Sequence, residues 1–312
     1  MRFRKVESLL KLEDASDYYS LGIFSSGFER RSTHLIKSCG PDMFKRVMVF
    51  KFALGGGALS RPENDGYFES IPKAEFLQLE GNNDDELIFT YLENFVVECY
   101  DSVLRIFVDY SSMTRSWYGA ILTWARLCEK SYSIEIDFVY ASGRYLSEFD
   151  PLLISEIETL PNFEGISGGF RKTSALFGLG YDQYATLAVY DRIEPDSLYC
   201  CVASLSPNDP SALKTIHANQ AMIEAAERLV ELPLLNIESA FRDLCDLLMS
   251  IGRDSHVVVV PMGPKTHVLV TLLVAIRMPW LTCLHAKGFR PQPVQVEATG
   301  PLSIARIYFS PD

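Results

Sequence analysis

The sequence predicts an α/β protein built from two tandem Rossmann-like halves with mainly parallel sheets. Runs that are apolar along their whole length alternate with helix-like stretches, the pattern of a parallel sheet covered on both faces. The same succession of motifs is read twice along the chain, which indicates an internal duplication. A length of 312 residues with 48% apolar content is enough for two cores of ordinary size.

Taken in order, the first half offers strands at Tyr19 to Phe24, Val47 to Phe52, Leu104 to Val108 and Ile134 to Tyr140. The second offers Leu198 to Leu205, Val257 to Val260, Leu281 to His285 and a final Ile304 to Phe309, with a long amphipathic helix from about His217 to Leu232. Between them the Gly- and Asn-containing stretch PNFEGISGGFRKTS reads as a loop or hinge, with the boundary near Phe163 to Ser174. The expected division is therefore 1–162 and 163–312.

The repeat rests on three matched pairs. FSSGFERRSTHLIKSCGPDMFKRVMVF, from Phe24, and FGLGYDQYATLAVYDRIEPDSLYCCVA, from Phe177, pair Gly27 with Gly180, Phe28 with Tyr181, Glu29 with Asp182 and Thr33 with Thr186, 153 positions apart. LRIFVDYSSMTRSWYGAILTWARL and SHVVVVPMGPKTHVLVTLLVAIRM each run from a strand through a polar turn into an apolar helix, setting Arg115 opposite Lys265 at an offset of 150. IDFVYASGR and LTCLHAKGF align Ala141 with Ala286 at an offset of 145.

Composition narrows the classes of function. No uninterrupted apolar run reaches eighteen residues, since Val257 to Leu273 is broken by Pro264, Lys265 and His267, so no membrane span is expected. Met1 to Leu12 lacks an apolar signal core, and a secretory signal is not expected. The seven cysteines are odd in number and include no C-x-x-C pair, which speaks against a disulfide framework or structural zinc and for a cytoplasmic protein. A net charge of -11 argues against wrapping duplex DNA, which needs a broad basic surface, and leaves room for a small cationic pocket. No cofactor motif is present, and no histidine lies at metal-site spacing.

In open parallel sheets ligands bind beyond the carboxyl ends of the strands. Four turns of the first half fall there. The first holds Ser25, Ser26, Gly27, Phe28, Glu29, Arg30 and Arg31; Gly27 permits close approach of a phosphate or backbone, and Glu29 is either an acid complementing a helix dipole or a catalytic group. The second, LGGGALSRPEND from Leu54 to Asp65, lacks both P-loop and G-x-G-x-x-G spacing and reads as a flexible surface loop or a weak phosphate cradle. The third concentrates Asp109, Ser111, Ser112, Thr114 and Arg115 where a strand enters a helix, a set suited to ribose hydroxyls and phosphates, although a serine there also caps helices. The fourth carries Arg144, opposite Lys287, either ligand contacts or solvated charges.

The counterpart of the third turn sets Lys265 and His267 at a helix start, where an acid is the usual choice. A cation in that place, in both halves, is the strongest argument for an anionic ligand.

The strand-turn-helix with Asp109, Ser111, Ser112, Thr114 and Arg115 resembles the ligand-binding turn of CARF domains, Rossmann-like sensors of cyclic oligonucleotides in bacterial defence. Two such units in one chain resemble SAVED domains, which are fused CARF-like pairs. Ser111, Ser112 and Met113 stand where the CARF turn commonly has glycines. The resemblance implies a composite pocket drawing on Ser25, Glu29, Ser112, Thr114, Arg115, Lys265 and His267.

Three functions remain open at this point. The first is a sensor of a nucleotide-type anion, cyclic oligonucleotides included, acting in anti-phage defence through a separate effector protein. The second is an enzyme on a nucleotide or related phosphate compound, with Glu29 or Asp109 as general acid/base and the cations stabilising developing charge. The third is a scaffold that docks a protein partner.

Overall fold

The computed structural model describes residues 1–16, 18–81, 84–99, 102–129, 132–148, 150–166, 169 and 172–311. In chain order it contains β1 (Arg2–Leu9), β2 (Leu21–Ser26), α1 (His34–Cys39), β3 (Val47–Phe52), α2 (Arg61–Glu69), β4 (Ala74–Leu79), α3 (Asp85–Val97), β5 (Val103–Asp109), α4 (Arg115–Leu127) and β6 (Ser133–Tyr145). There follow β7 (Leu153–Thr159), β8 (Thr173–Gly178), α5 (Gln183–Ile193), β9 (Ser197–Ser204), α6 (Pro210–Ala218), α7 (Gln220–Ala225), β10 (Arg228–Pro233), α8 (Ile237–Ile251), β11 (His256–Pro261), α9 (Lys265–Arg277), β12 (Thr282–Phe289) and β13 (Val296–Ser310).

Two compact units result, Met1–Phe149 with Gln292–Asp312, and Asp150–Pro291. This division differs from 1–162 and 163–312. The strand expected to end the second half, Ile304 to Phe309, lies in β13 and pairs antiparallel with β6 of the first unit, where Ile304, Ile307 and Phe309 are buried. Of the expected hinge, residues 167, 168, 170 and 171 lie outside the described residues.

The first unit has a seven-stranded sheet in the order β1, β13, β6, β5, β2, β3, β4. The five strands from β6 to β4 are parallel, and β13 and β1 add an antiparallel edge on the other side. All six residues of β2 are buried, as expected of a central strand covered on both faces. On one face Phe24, Phe44 and Phe107 meet with centroids 5.3–5.7 Å apart. On the other, Trp117 of α4 packs on Phe50 and Phe52 and donates its indole N–H to Asp84 at 2.7 Å. Arg306 of β13 grips both oxygens of the buried Asp137 on β6 at 2.7 Å, and Tyr19 donates its hydroxyl to the same carboxylate.

The second unit has six strands in the order β10, β9, β8, β11, β12, β7. Only β7 is antiparallel to its neighbour. Numbered by appearance, the five parallel strands of each unit run third, second, first, fourth, fifth across the sheet, the first part of the doubly wound order.

The long helix expected from His217 to Leu232 is not formed. Helix α6 ends at Ala218, α7 ends at Ala225, and residues 228–233 become β10, parallel to β9. As an edge strand β10 carries the exposed Arg228 and Glu231 beside the buried Leu232, a mixture that a helical period also accommodates. Among the described residues no helix is long and apolar enough to cross a membrane.

Candidate ligand-binding site

In the first unit β2 and β5 are neighbours whose onward connections lead to opposite sides of the sheet, β2 toward β3 and β5 toward β6. Loops diverge at such a switch point and leave a crevice beyond the carboxyl ends. Here the loop after β2 approaches the loop after β5 closely: a Cβ on Gly27 would stand 3.5 Å from the Ser112 Cβ. A side chain at Gly27 would crowd the crevice.

The two loops are tied through Ala141 on β6. The Ser111 hydroxyl accepts the Ala141 N–H at 2.8 Å, and the Ala141 carbonyl accepts from Arg31 at 3.0 Å. Arg31 also donates to the Tyr140 hydroxyl at 3.1 Å and to Glu29 at 2.6 Å. Burial opposes its charge, and the neighbouring Glu29 more than offsets this, so the Arg31 pKa stands above the ordinary guanidinium value. From α2, Asn64 donates to the carbonyls of Gly27 and Glu29 at 2.8 and 2.9 Å. The loop is thus fixed from two sides, with the Glu29 carboxylate at its half-buried edge accepting from Ser112 at 3.3 Å.

Beside it starts α4. Its cap residue Thr114 makes no side-chain cap bond, the first turn holds no acid, and Arg115 is its first residue. The first N–H groups of a helix lack intrahelical acceptors and carry partial positive charge, so this helix start is doubly cationic. Thr114 and Arg115 are half-buried, within reach of a ligand.

The other candidates are placed as follows. Asp109 is 2% exposed and accepts the Ser111 N–H at 3.0 Å, an Asx-type turn that holds the loop. Ser26 donates to Asp65, and the Ser25 hydroxyl is buried without a hydrogen-bond partner. Arg30 and Arg144 are exposed and both pair with Glu297. Asn64 and Tyr140 were not singled out from the sequence, and Arg31 was placed in the first turn without a role of its own. Of the adjacent pair Arg30 and Arg31, one side chain goes out and one in, which composition does not distinguish.

In the second unit Asp182 caps α5, accepting from Ala185 at 3.2 Å, from the Leu152 N–H at 2.7 Å and from Arg290 at 3.0 Å. Lys265 is the half-buried first residue of α9. His267 is buried, with Nε2 against the Pro233 carbonyl at 2.9 Å, and burial pushes its pKa down to about 4. It is therefore a neutral interior side chain rather than a ligand contact.

Fold and site together define an α/β chain of two Rossmann-like units with a polar crevice at the switch point of the first. No protein-family model matches the chain, and no curated protein matches it.

Proposed function

We propose that the first unit binds a nucleotide-type anion beyond β2 and β5, and that the protein is a sensor of that ligand in anti-phage defence, acting through a separate effector protein. The observation that carries the reading is the start of α4, which opens with Arg115, without an acid or a side-chain cap, at the switch point. Its positive charge adds to the partial positive charge of the first helix N–H groups, and an anion is favoured at such a place. Ser112 and Thr114 add hydroxyls for phosphate, and Glu29, held in place by Arg31, accepts from a ribose hydroxyl.

Binding is favoured over turnover because both candidate acids are engaged. Asp109 holds its own turn, and Glu29 accepts from Arg31 and Ser112. A general acid or base must instead be available to the reacting atom.

The test is a panel of nucleotides, linear and cyclic, followed by melting temperature and by chromatography after long incubation. Arg115→Ala is expected to stay folded and lose affinity by roughly 1.5–3 kcal/mol, one charge-assisted hydrogen bond. Unchanged affinity would defeat the site. Conversion of a nucleotide by the native protein but not by Glu29→Gln would replace the sensor with an enzyme.

A further inference from the structure

We infer that residues 53–60, between β3 and α2, form a lid that closes over a nucleotide held at the start of α4 and packs two leucines on its base; the inference rests on the anion site proposed above. The segment reads ALGGGALS and carries no charged side chain. It therefore adds no side-chain charge to the pull on a phosphate, and what it brings is apolar contact from Leu54 and Leu59. Leu54 is 82% exposed and Leu59 47%. Two exposed leucines on one short loop gain by covering an apolar ring, which takes their surface out of water.

Both ends of the loop are rooted at the crevice. Phe52, the last residue of β3, has its ring edge 3.8 Å from where a Cβ on Gly27 would stand, and the same Cβ would stand 3.5 Å from that of Ser112. A Cβ on Gly81 would lie 3.8 Å from both the Phe52 ring and the Thr114 methyl. The loop thus leaves β3 beside residues that flank the start of α4. At its base Ala53 donates its N–H to the Leu79 carbonyl at 2.7 Å, and at its far end Ser60 donates to the Phe28 carbonyl at 3.1 Å. Arg61 closes the base by donating to the Phe52 carbonyl at 2.8 Å. A loop of eight residues folded back on such a base reaches at most about 13 Å, four residues at ~3.3 Å each, enough to cover a nucleotide's ring.

Between those anchors two of the glycines are not required by the conformation seen. Gly55 has a φ of +74°, but neither Gly56 nor Gly57 has a positive φ, and a Cβ on any of the three would meet no atom within 4 Å. At Gly56 and Gly57 neither space nor backbone angle excludes a larger residue, although glycine loses more chain entropy on folding than any other residue. Their freedom is of use in a second conformation. Leu59 is strained as it stands, with a φ of +48°, a region that residues with a Cβ rarely adopt. An open form that holds one residue strained and two leucines in water is poised to close when a ring arrives, the behaviour of loops that sequester ligands.

The test uses the full chain with AMP and inorganic phosphate as probes, followed by calorimetric titration and by amide hydrogen exchange. AMP is expected to bind at least tenfold more tightly than phosphate and to slow exchange of residues 54–59 at least tenfold, while phosphate at equal occupancy leaves that exchange as it is in the free protein. Leu54→Ser with Leu59→Asn, asparagine tolerating the left-handed angle, should weaken AMP at least tenfold and phosphate less than twofold. Arg115→Ala should weaken both. AMP no tighter than phosphate, exchange unaltered by AMP or slowed equally by phosphate, or full AMP affinity in the leucine variant overturns the lid and leaves the anion site standing. Failure of both probes to bind, or native affinity for both in Arg115→Ala, removes the anion site and the lid with it. Should the leucine variant melt early, exchange in the native protein decides alone.

Discussion

Replacing Arg31 by methionine keeps the aliphatic stem and removes three hydrogen bonds at once, to Glu29, the Tyr140 hydroxyl and the Ala141 carbonyl. Removing one member of a buried ion pair costs about 3–5 kcal/mol, because the other charge is left behind. The Arg31 side chain is 6% exposed and that of Glu29 16%, so water recovers part of the loss on the Glu29 side, and about 3 kcal/mol is expected. Two of the three tryptophans, Trp117 and Trp124, are buried in the first unit, so urea unfolding followed by fluorescence in a Trp280→Phe background reports on that unit. In a double-mutant cycle, Arg31→Met with Glu29→Gln should cost less than the sum of the single changes by roughly 0.5–3 kcal/mol, the range for residues in contact. A loss below about 1 kcal/mol for Arg31→Met would refute the reasoning, since the pair would then not hold the loop. Strict additivity would do the same.

Three further outcomes follow from the same structure. Arg306→Met should lose about 3–5 kcal/mol in urea by stranding Asp137, with Asp137→Asn in that background recovering part of it. Asn64→Ala, which frees the carbonyls of Gly27 and Glu29, should cost about 1–3 kcal/mol in the same fluorescence assay and weaken anion binding with it. His267 has a pKa lowered to about 4 from 6.5 by burial, so the unfolded chain binds more protons across that window. Stability contributed by neutral His267 is therefore full above pH 6.5 and falls as pH drops toward 4, by about 3 kcal/mol in all. The gap in stability between native protein and His267→Gln should shrink correspondingly between pH 7 and 4.5, measured by urea unfolding.

The central strands were legible because they are apolar throughout: β3 spans Val47–Phe52 as the sequence indicates, and β2, β5, β9 and β11 shift by only a residue or two. Edge strands were not. β4 reads AEFLQL and β10 reads RLVELP, each with one side toward solvent, and their mixed polarity carries no period that separates them from helix or loop. Nothing local in Ile304 to Phe309 tells which sheet it joins; its antiparallel register with β6 depends on contacts made across most of the chain. The turns were found from their position after strands, and Ser112 reaches Glu29. What the sequence concealed is which groups are spent holding the loops, since Asp109, Ser111 and Arg31 look on paper like any other polar residue of a turn. The shared strand order and the matched bonds of Asn64 to Gly27 and of Asn219 to Gly180 support the proposal of a duplication made from the repeated motifs.

The two switch points share a topology and differ in chemistry. In the first unit Gly27 faces a serine side chain, Ser112, which bridges to Glu29. In the second, Gly180 and Gly263 let backbone meet backbone: a Cβ on Gly180 would lie 2.6 Å from the Met262 carbonyl oxygen, and one on Gly263 would lie 2.8 Å from that of Leu179. No side chain fits between those loops, and Asp182 is committed to three donors. The crevice that stays polar in the first unit is closed by glycine in the second. Substituting Gly263 by alanine should for that reason destabilise the second unit without touching the anion site proposed for the first, a contrast that Gly27→Ala, with 3.5 Å of clearance but a crevice to obstruct, should reverse.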